Sequence, residues 1–235
     1  MNFMDCSLSV IIPVFNEEKT IREVMNYVVC VNGVRQIIIV DDGSTDGTQE
    51  ILQGQLPQSV EVIRNEDNYG KGWAIRKALP HVKYEIVIIQ DADLESHPCQ
   101  YEALVTPILK GDAEVVYGNR LSREHFIRHP FHYLGNKLLT RLFNTLNGCN
   151  ISDVCTSLRV IKRSVFDSLD FSSNGFDFDI ELTVEILRSG VNICSVPISY
   201  HPRTPKEGKK FCWRDRMQML QTVLTKSSSG GIHIK

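Results

Sequence analysis

The chain has 235 residues, 42% hydrophobic and 23% charged, enough to enclose one sizeable α/β core without a linker. Lys and Arg number 26 against 28 Asp and Glu; the formal charge of -2 offers nucleic acid no global basic field, so an anionic partner must meet a local basic patch. Seven scattered cysteines without a CxxC pair read as reduced thiols of a cytosolic protein, mostly small core residues.

Leu8–Val14 reads as a first strand, since Leu8–Phe15 is short and broken by Pro13 and does not resemble a signal peptide. Asn16 is placed to cap a helix with the apolar stripe Ile21, Val24, Met25 and Val28. Then come a strand at Gln36–Val40, a helix from Thr45 to Leu52 and a strand at Val60–Arg64. Polar Asn65–Gly72 opens a short helix through Ala74 and Ala78, followed by strands at Glu85–Gln90 and Ala113–Tyr117. Short unbroken apolar runs alternating with helical patterns imply a doubly wound, mostly parallel α/β sheet flanked by helices.

In the second half, Phe131–Leu146 reads as a helix with apolar positions Phe131, Leu134, Leu138, Leu142 and Leu146 and basic Lys137 and Arg141. Thr156–Ile161 is expected to be a strand, Phe178–Arg188 a helix and Ile193–Ile198 a strand. His201–Lys210 is a basic loop around Pro202, Pro205 and Gly208, before an amphipathic helix at Trp213–Leu224 whose stripe Trp213, Met217, Leu220 and Leu224 reads as core packing. One domain is expected over 1–226, with 227–235 as a flexible tail. No apolar stretch approaches the ~20 residues of a spanning helix, so the expectation is a cytoplasmic protein with at most a peripheral membrane contact.

Two acidic clusters end buried strands: Val40 runs into Asp41-Asp42-Gly43-Ser44, and Gln90 into Asp91-Ala92-Asp93-Leu94-Glu95. Open α/β sheets bind ligands beyond the carboxyl ends of their strands. If extended geometry persists past Gln90, period two puts Asp91, Asp93 and Glu95 on one side, where they can share Mg²⁺ or Mn²⁺. Such a cation would stabilise the charge that builds on a departing diphosphate. Asp42–Gly47 imitates the start of an EF-hand loop, but Gln53 stands at its twelfth position and a strand precedes it. Gly70-Lys71-Gly72 matches neither a dinucleotide nor a Walker fingerprint, and Lys71 reads equally well as a solvated cation.

Taken together, Val10-Ile11-Ile12-Pro13-Val14-Phe15-Asn16-Glu17-Glu18, Val40–Thr48, Asn68-Tyr69-Gly70-Lys71-Gly72 and Gln90-Asp91-Ala92-Asp93 resemble the inverting family-2 glycosyltransferases of GT-A fold. Gly118-Asn119-Arg120, Ser157-Leu158-Arg159, Pro202-Arg203 and Glu207-Gly208-Lys209-Lys210 extend the likeness to the polyprenyl-phosphate, dolichol-phosphate mannose synthase-like branch. The resemblance implies that Pro13, Phe15, Glu17 and Asp42 hold the nucleoside of a sugar donor, with Lys71 and Ala92 in the same donor pocket. It implies that Asp91, Asp93 and Glu95 hold the metal and diphosphate, and that Arg120, Arg203 and Lys209 meet phosphates, with Asp93 joining them in catalysis. The implied reaction is inverting transfer of a hexose, from a GDP-mannose or UDP-glucose type donor, to a polyprenyl or dolichyl phosphate. Many members of that branch continue into membrane helices; none is expected within these 235 residues.

Two rival readings follow other chemistry. Transfer to a sugar hydroxyl needs a base, for which Asp153, Asp177, Asp179 and Glu181 are available. A haloacid-dehalogenase-type phosphatase would use Asp91 as nucleophile, but that motif normally follows the first strand and has Thr or Val where Leu94 stands.

Overall fold

The computed structural model describes residues 2–121, 130–203, 208 and 213–227. Pro205, Lys206, Glu207, Lys209, Lys210 and Cys212 lie outside the described residues, as do the side chains of Phe131 and Trp213.

Seven strands form one sheet: β1 Leu8–Val14, β2 Val34–Asp42, β3 Val60–Asn65, β4 Ile86–Ile89, β5 Val115–Asn119, β6 Arg159–Lys162 and β7 Ile193–Pro197. Their spatial order is β3-β2-β1-β4-β6-β5-β7, and β6 alone runs against its neighbours β4 and β5. Residues of alternating parity feed two separate cores, as a sheet covered on both faces requires. Ile37 and Ile39 of β2 pack on one side with α1 (Ile21–Val29) and α4 (Tyr101–Lys110). Ile38 and Val40 pack on the other with α3 (Lys71–Ala78), α5 (Pro130–Asn147), α7 (Phe178–Arg188) and α8 (Trp213–Ser227). Short α2 (Thr48–Leu52) and α6 (Arg163–Asp167) complete the described helices.

Several expectations need correction. The α1 stripe is buried as expected, but the helix starts after Thr20, and Asn16 takes a left-handed φ of 51° while its Oδ1 accepts from Thr45 N at 2.7 Å. Asn16 therefore ties the ends of β1 and β2 together instead of capping a helix. Thr45–Gly47 precede α2 as loop, and Thr156–Leu158 precede β6. On α5, Leu134, Leu138 and Leu146 are exposed, and Phe143 is the fully buried anchor. On α8, Met217 and Leu224 are exposed whereas Met219 and Val223 are buried. Ser227 is no tail: it closes α8, is buried, and its Oγ accepts from Asn147 Nδ2 at 2.7 Å. Among the described cysteines Cys6 alone is buried, while Cys30 and Cys99 are exposed. No helix among the described residues is long and apolar enough to cross a membrane.

Candidate active site

The chain builds β1, β2 and β3 outward in one direction, then returns to set β4 on the other side of β1. That reversal opens a crevice at the carboxyl ends of β1 and β4, where ligands bind in such sheets. A cleft of about 460 Å³ lies there, lined by Pro13, Phe15, Glu17, Asp42, Lys71, Asp91, Ala92, Asp93, Glu95 and Arg203. The fold thus gathers all the expected donor-pocket residues in one place. A second cavity of about 100 Å³ adjoins it and shares Lys71, Asp91, Asp93 and Glu95. Arg120, Asn136, Ser157, Tyr200, Arg216 and Met219 belong to that second cavity alone.

The acidic cluster does not continue the strand. β4 ends at Ile89, the chain turns, and Leu94 has φ 59°, so the period-two argument that aligned Glu95 with Asp91 and Asp93 fails. Asp93 Oδ1 accepts from Glu95 N at 3.0 Å, which closes the turn on itself. Glu95 instead accepts from Tyr200 Oη and, at 2.7 Å, from Arg203 N. Among the described residues, no three His, Cys, Asp or Glu are grouped so as to hold a metal, and Glu95 is engaged here by Tyr200 and Arg203.

Asp91 and Asp93 nevertheless fit a hard cation. Burial, and then the charges of Glu95 and Asp91, push the Asp93 carboxyl up to about 7. Arg203 Nη2 lies 3.7 Å away and offsets this only in part. Oxygen donors in a cluster short of positive charge are the donor set that Mg²⁺ or Mn²⁺ takes.

Lys71 is no solvated cation. Its ammonium is buried, 2.9 Å from Asp91 and 3.6 Å from Asp179. Burial alone would lower its pKa, but the two carboxylates raise it, so it stays charged. Asp179 in turn accepts from Arg159 Nη1 at 2.7 Å, and the fully buried guanidinium lies 4.9 Å from the Tyr117 ring centroid. A continuous charged chain therefore runs from Asp91 into the core. Gly70 and Gly72 make room for it: a Cβ on either would collide with the backbone carbonyl of Asn174 or Ser173. Gly72 N donates to Asn174 O at 2.7 Å, which docks the start of α3 against the segment that leads into α7.

Asp42 faces the cleft while its carboxylate fixes the loop opposite. Oδ1 accepts from Asn65 Nδ2 (2.6 Å) and Tyr69 N (3.2 Å), and Oδ2 from Gly70 N (2.6 Å). Glu17 is bridged by Arg203 in a two-pronged pair, both contacts at 2.8 Å, closing one side of the cleft. Arg203 Nε is buried and has no hydrogen-bond partner among the described residues. Arg120 is less available than the sequence suggested. Asp153 takes its Nε and Nη2 at 2.8 and 3.1 Å, and its guanidinium packs 4.9 Å from the Tyr200 ring centroid.

The four carboxylates proposed as bases are largely committed elsewhere. Asp153 neutralises Arg120, and Asp179 serves Arg159 and Lys71. Burial alone would raise Glu181, but hydrogen bonds from Lys226 and Ser173 hold it at about 2. Asp177 lines neither cavity; its Oδ2 accepts from Thr222 Oγ1 at 3.4 Å. Tyr200 escaped sequence reasoning, which offered Asp179 only as a candidate base and Arg159 only within a motif, not as the partners that anchor Lys71. The one available signal was a lone Arg159 leading the apolar run Val160-Ile161, where an unpaired cation would be prohibitively costly.

Comparisons with known proteins agree with this geometry. The low-salt glycan biosynthesis hexosyltransferase Agl6 of Haloferax volcanii is 32% identical over 203 residues, covering 84% of this chain but 48% of its own length. This chain thus spans about half of that relative. The dolichyl-phosphate hexose transferase of the same organism is 26% identical and covers 83% of each chain. Among solved structures, glucosyl-3-phosphoglycerate synthase from Mycobacterium tuberculosis, in complex with Mn²⁺, UDP and glucosyl-3-phosphoglycerate, is similar with a TM-score of 0.72 at 25% identity. It covers 95% of this chain and 81% of its own. The profile of glycosyl transferase family 2 matches residues 9–170, the span that contains β1 to β6 and every carboxylate of the shared wall, and the chain accordingly belongs to that family.

Proposed function

We propose that this chain transfers a hexose from a nucleoside diphosphate sugar to a polyprenyl or dolichyl phosphate, with inversion at the anomeric carbon. The observation that carries this reading is the pair of adjoining cavities with a common acidic wall, around which the candidate bases are already tied to cations or turned away. A hydroxyl acceptor must lose a proton to such a base. A phosphate monoester is already an anion at neutral pH and needs only alignment and charge compensation. The name of the dolichyl-phosphate hexose transferase points the same way.

In this reading the nucleoside lies along Pro13, Phe15 and Asp42, with GDP-mannose and UDP-glucose as candidate donors. The acceptor phosphate oxygen attacks the anomeric carbon as the bond to the donor diphosphate breaks, and the electron pair leaves with the diphosphate. Arg203, whose Nε finds no hydrogen-bond partner among the described residues, meets the leaving phosphate; Lys209, outside the described residues, is the second cation proposed for it. Lys71 orients Asp91 through their contact at 2.9 Å. A divalent cation held by Asp91 and Asp93 would supply Lewis-acid stabilisation of the departing charge. No proton has to move.

The test compares a short polyprenyl phosphate with the matching free alcohol, using each donor with Mn²⁺ or with EDTA. Metal-dependent transfer to the phosphate, giving a β-linked product from an α-linked donor by proton NMR, is expected. Equal transfer to the alcohol would move the enzyme to the hydroxyl-acceptor class, and an α-linked product would exclude single displacement.

A further inference from the structure

Large apolar side chains stand in water on two neighbouring helices: Leu134 (52% exposed), Leu138 (71%) and Leu146 (41%) on α5, and Met217 (55%) and Leu224 (49%) on α8. The helices run side by side in the same direction. Near their starts, a Cβ on Gly135 would lie 3.0 Å from Arg216 Nη1; at their ends, Asn147 Nδ2 donates to Ser227 Oγ at 2.7 Å. Both bury their inner sides, Phe143 on one and Met219 and Val223 on the other, in the same core. Their outer sides therefore look away from that core together.

The charge on this face is one-sided. Pro130–Asn147 contains no acidic residue, and exposed Lys137 and Arg141 are interleaved with its exposed leucines. Exposed Arg214 adds to them from α8, whose single acid is Asp215. In a chain of net charge -2 this is a local concentration of positive charge on an apolar surface.

We propose that the outer face of α5 and α8 rests on a bilayer rich in anionic phospholipid, with the leucines and Met217 entering the acyl boundary and Lys137, Arg141 and Arg214 meeting lipid phosphates. A second copy of the chain is the poorer occupant, because a two-fold contact would bring these three cations against their own duplicates. The placement suits the site as well. Asn136 of α5 and Arg216 and Met219 of α8 also wall the smaller cavity, so the helices that touch the bilayer border the site's second chamber. That link rests on the lipid-phosphate reading, whereas the surface stands on exposure and charge.

The test is co-sedimentation of the full chain with phosphatidylcholine vesicles, with and without phosphatidylglycerol, using the wild type, Leu138→Asp/Met217→Asp and Lys137→Glu/Arg141→Glu. The wild type should pellet with the anionic vesicles and be released by salt. Each basic residue near an anionic surface is worth roughly fivefold in binding, so the charge-reversed variant should bind at least ~10-fold more weakly. Both variants should keep wild-type turnover on a short soluble acceptor and lose it on a vesicle-embedded one. The proposal is overturned if the wild type stays in the supernatant, if the variants bind as tightly, or if Leu138→Asp instead dissolves a dimer in size-exclusion chromatography. Vesicle binding without transfer to any polyprenyl phosphate would overturn the functional reading and leave the surface standing.

Discussion

Asp91 and Asp93 are two residues apart, yet their surroundings give them different work. Asp91 has a buried ammonium at 2.9 Å, whereas Asp93 is pushed up to about 7 and carries the unmet demand for positive charge. Asp93→Asn should therefore lower turnover by at least ~100-fold, the scale seen when a main electrostatic stabiliser is lost. Steady-state assays over a Mn²⁺ titration would decide it, with full activity in EDTA counting against the metal. Asp42 does double duty, so its replacement should have two readouts. Asp42→Asn removes a charged acceptor from the Tyr69 and Gly70 amides and from the proposed nucleoside end of the cleft. Calorimetry should show UDP or GDP and its sugar conjugate weakened by similar factors, about tenfold for a hydrogen bond to a charged group, together with a lower Tm. Weakening of the sugar conjugate alone would contradict a nucleoside role.

At the scale of elements, α7 carries a pH-sensitive brace. Glu181 accepts from Ser172 N and Ser173 N at 3.1 and 2.6 Å and pairs with Lys226 of α8 at 2.6 Å. Its folded pKa of about 2 lies below the ordinary carboxylate value, so its stabilisation is complete above about pH 4.5 and lost as pH falls toward 2. Glu181→Gln should flatten acid unfolding in that window and cost of order 2 kcal/mol at neutral pH, given that Lys226 is partly exposed. Circular dichroism during acid titration reads both. Strands such as β1 and β2 were legible because their apolar runs are short, and α1 because its stripe Ile21, Val24, Met25 and Val28 has a helical period. The leucines of α5 were misread for a geometric reason. A repeat at every fourth residue advances about 40° beyond each full turn, so Leu134 to Leu146 drifts by roughly 120° around the helix and cannot face one core throughout.

For the whole molecule, the strand ends that carry the site could be located from sequence, because the sheet's topology fixes where such ends converge. Pairing was not legible. Glu17 and Arg203 are 186 residues apart, Arg120 finds Asp153, and Lys71 finds both Asp91 and Asp179, and no local pattern encodes those choices. The turn at Leu94 likewise took Glu95 from the expected row, through a left-handed conformation that a Leu does not advertise.

Lys71, Asp91, Asp93 and Glu95 face both cavities, so under the proposed function donor and acceptor would share an electrostatic boundary and bind as coupled ligands. An anion that draws Lys71 or Arg203 toward one chamber changes the field in the other. Linkage then requires donor and acceptor to alter each other's dissociation constants by one common factor. Titrating UDP or GDP with and without an acceptor phosphate, and the acceptor with and without the nucleotide, should return the same ratio, well away from unity. A ratio of one in both directions would mean that the shared wall is electrostatically inert. A factor that tightens both would make each substrate retain the other, and one that weakens both would make an arriving acceptor help expel the spent nucleotide.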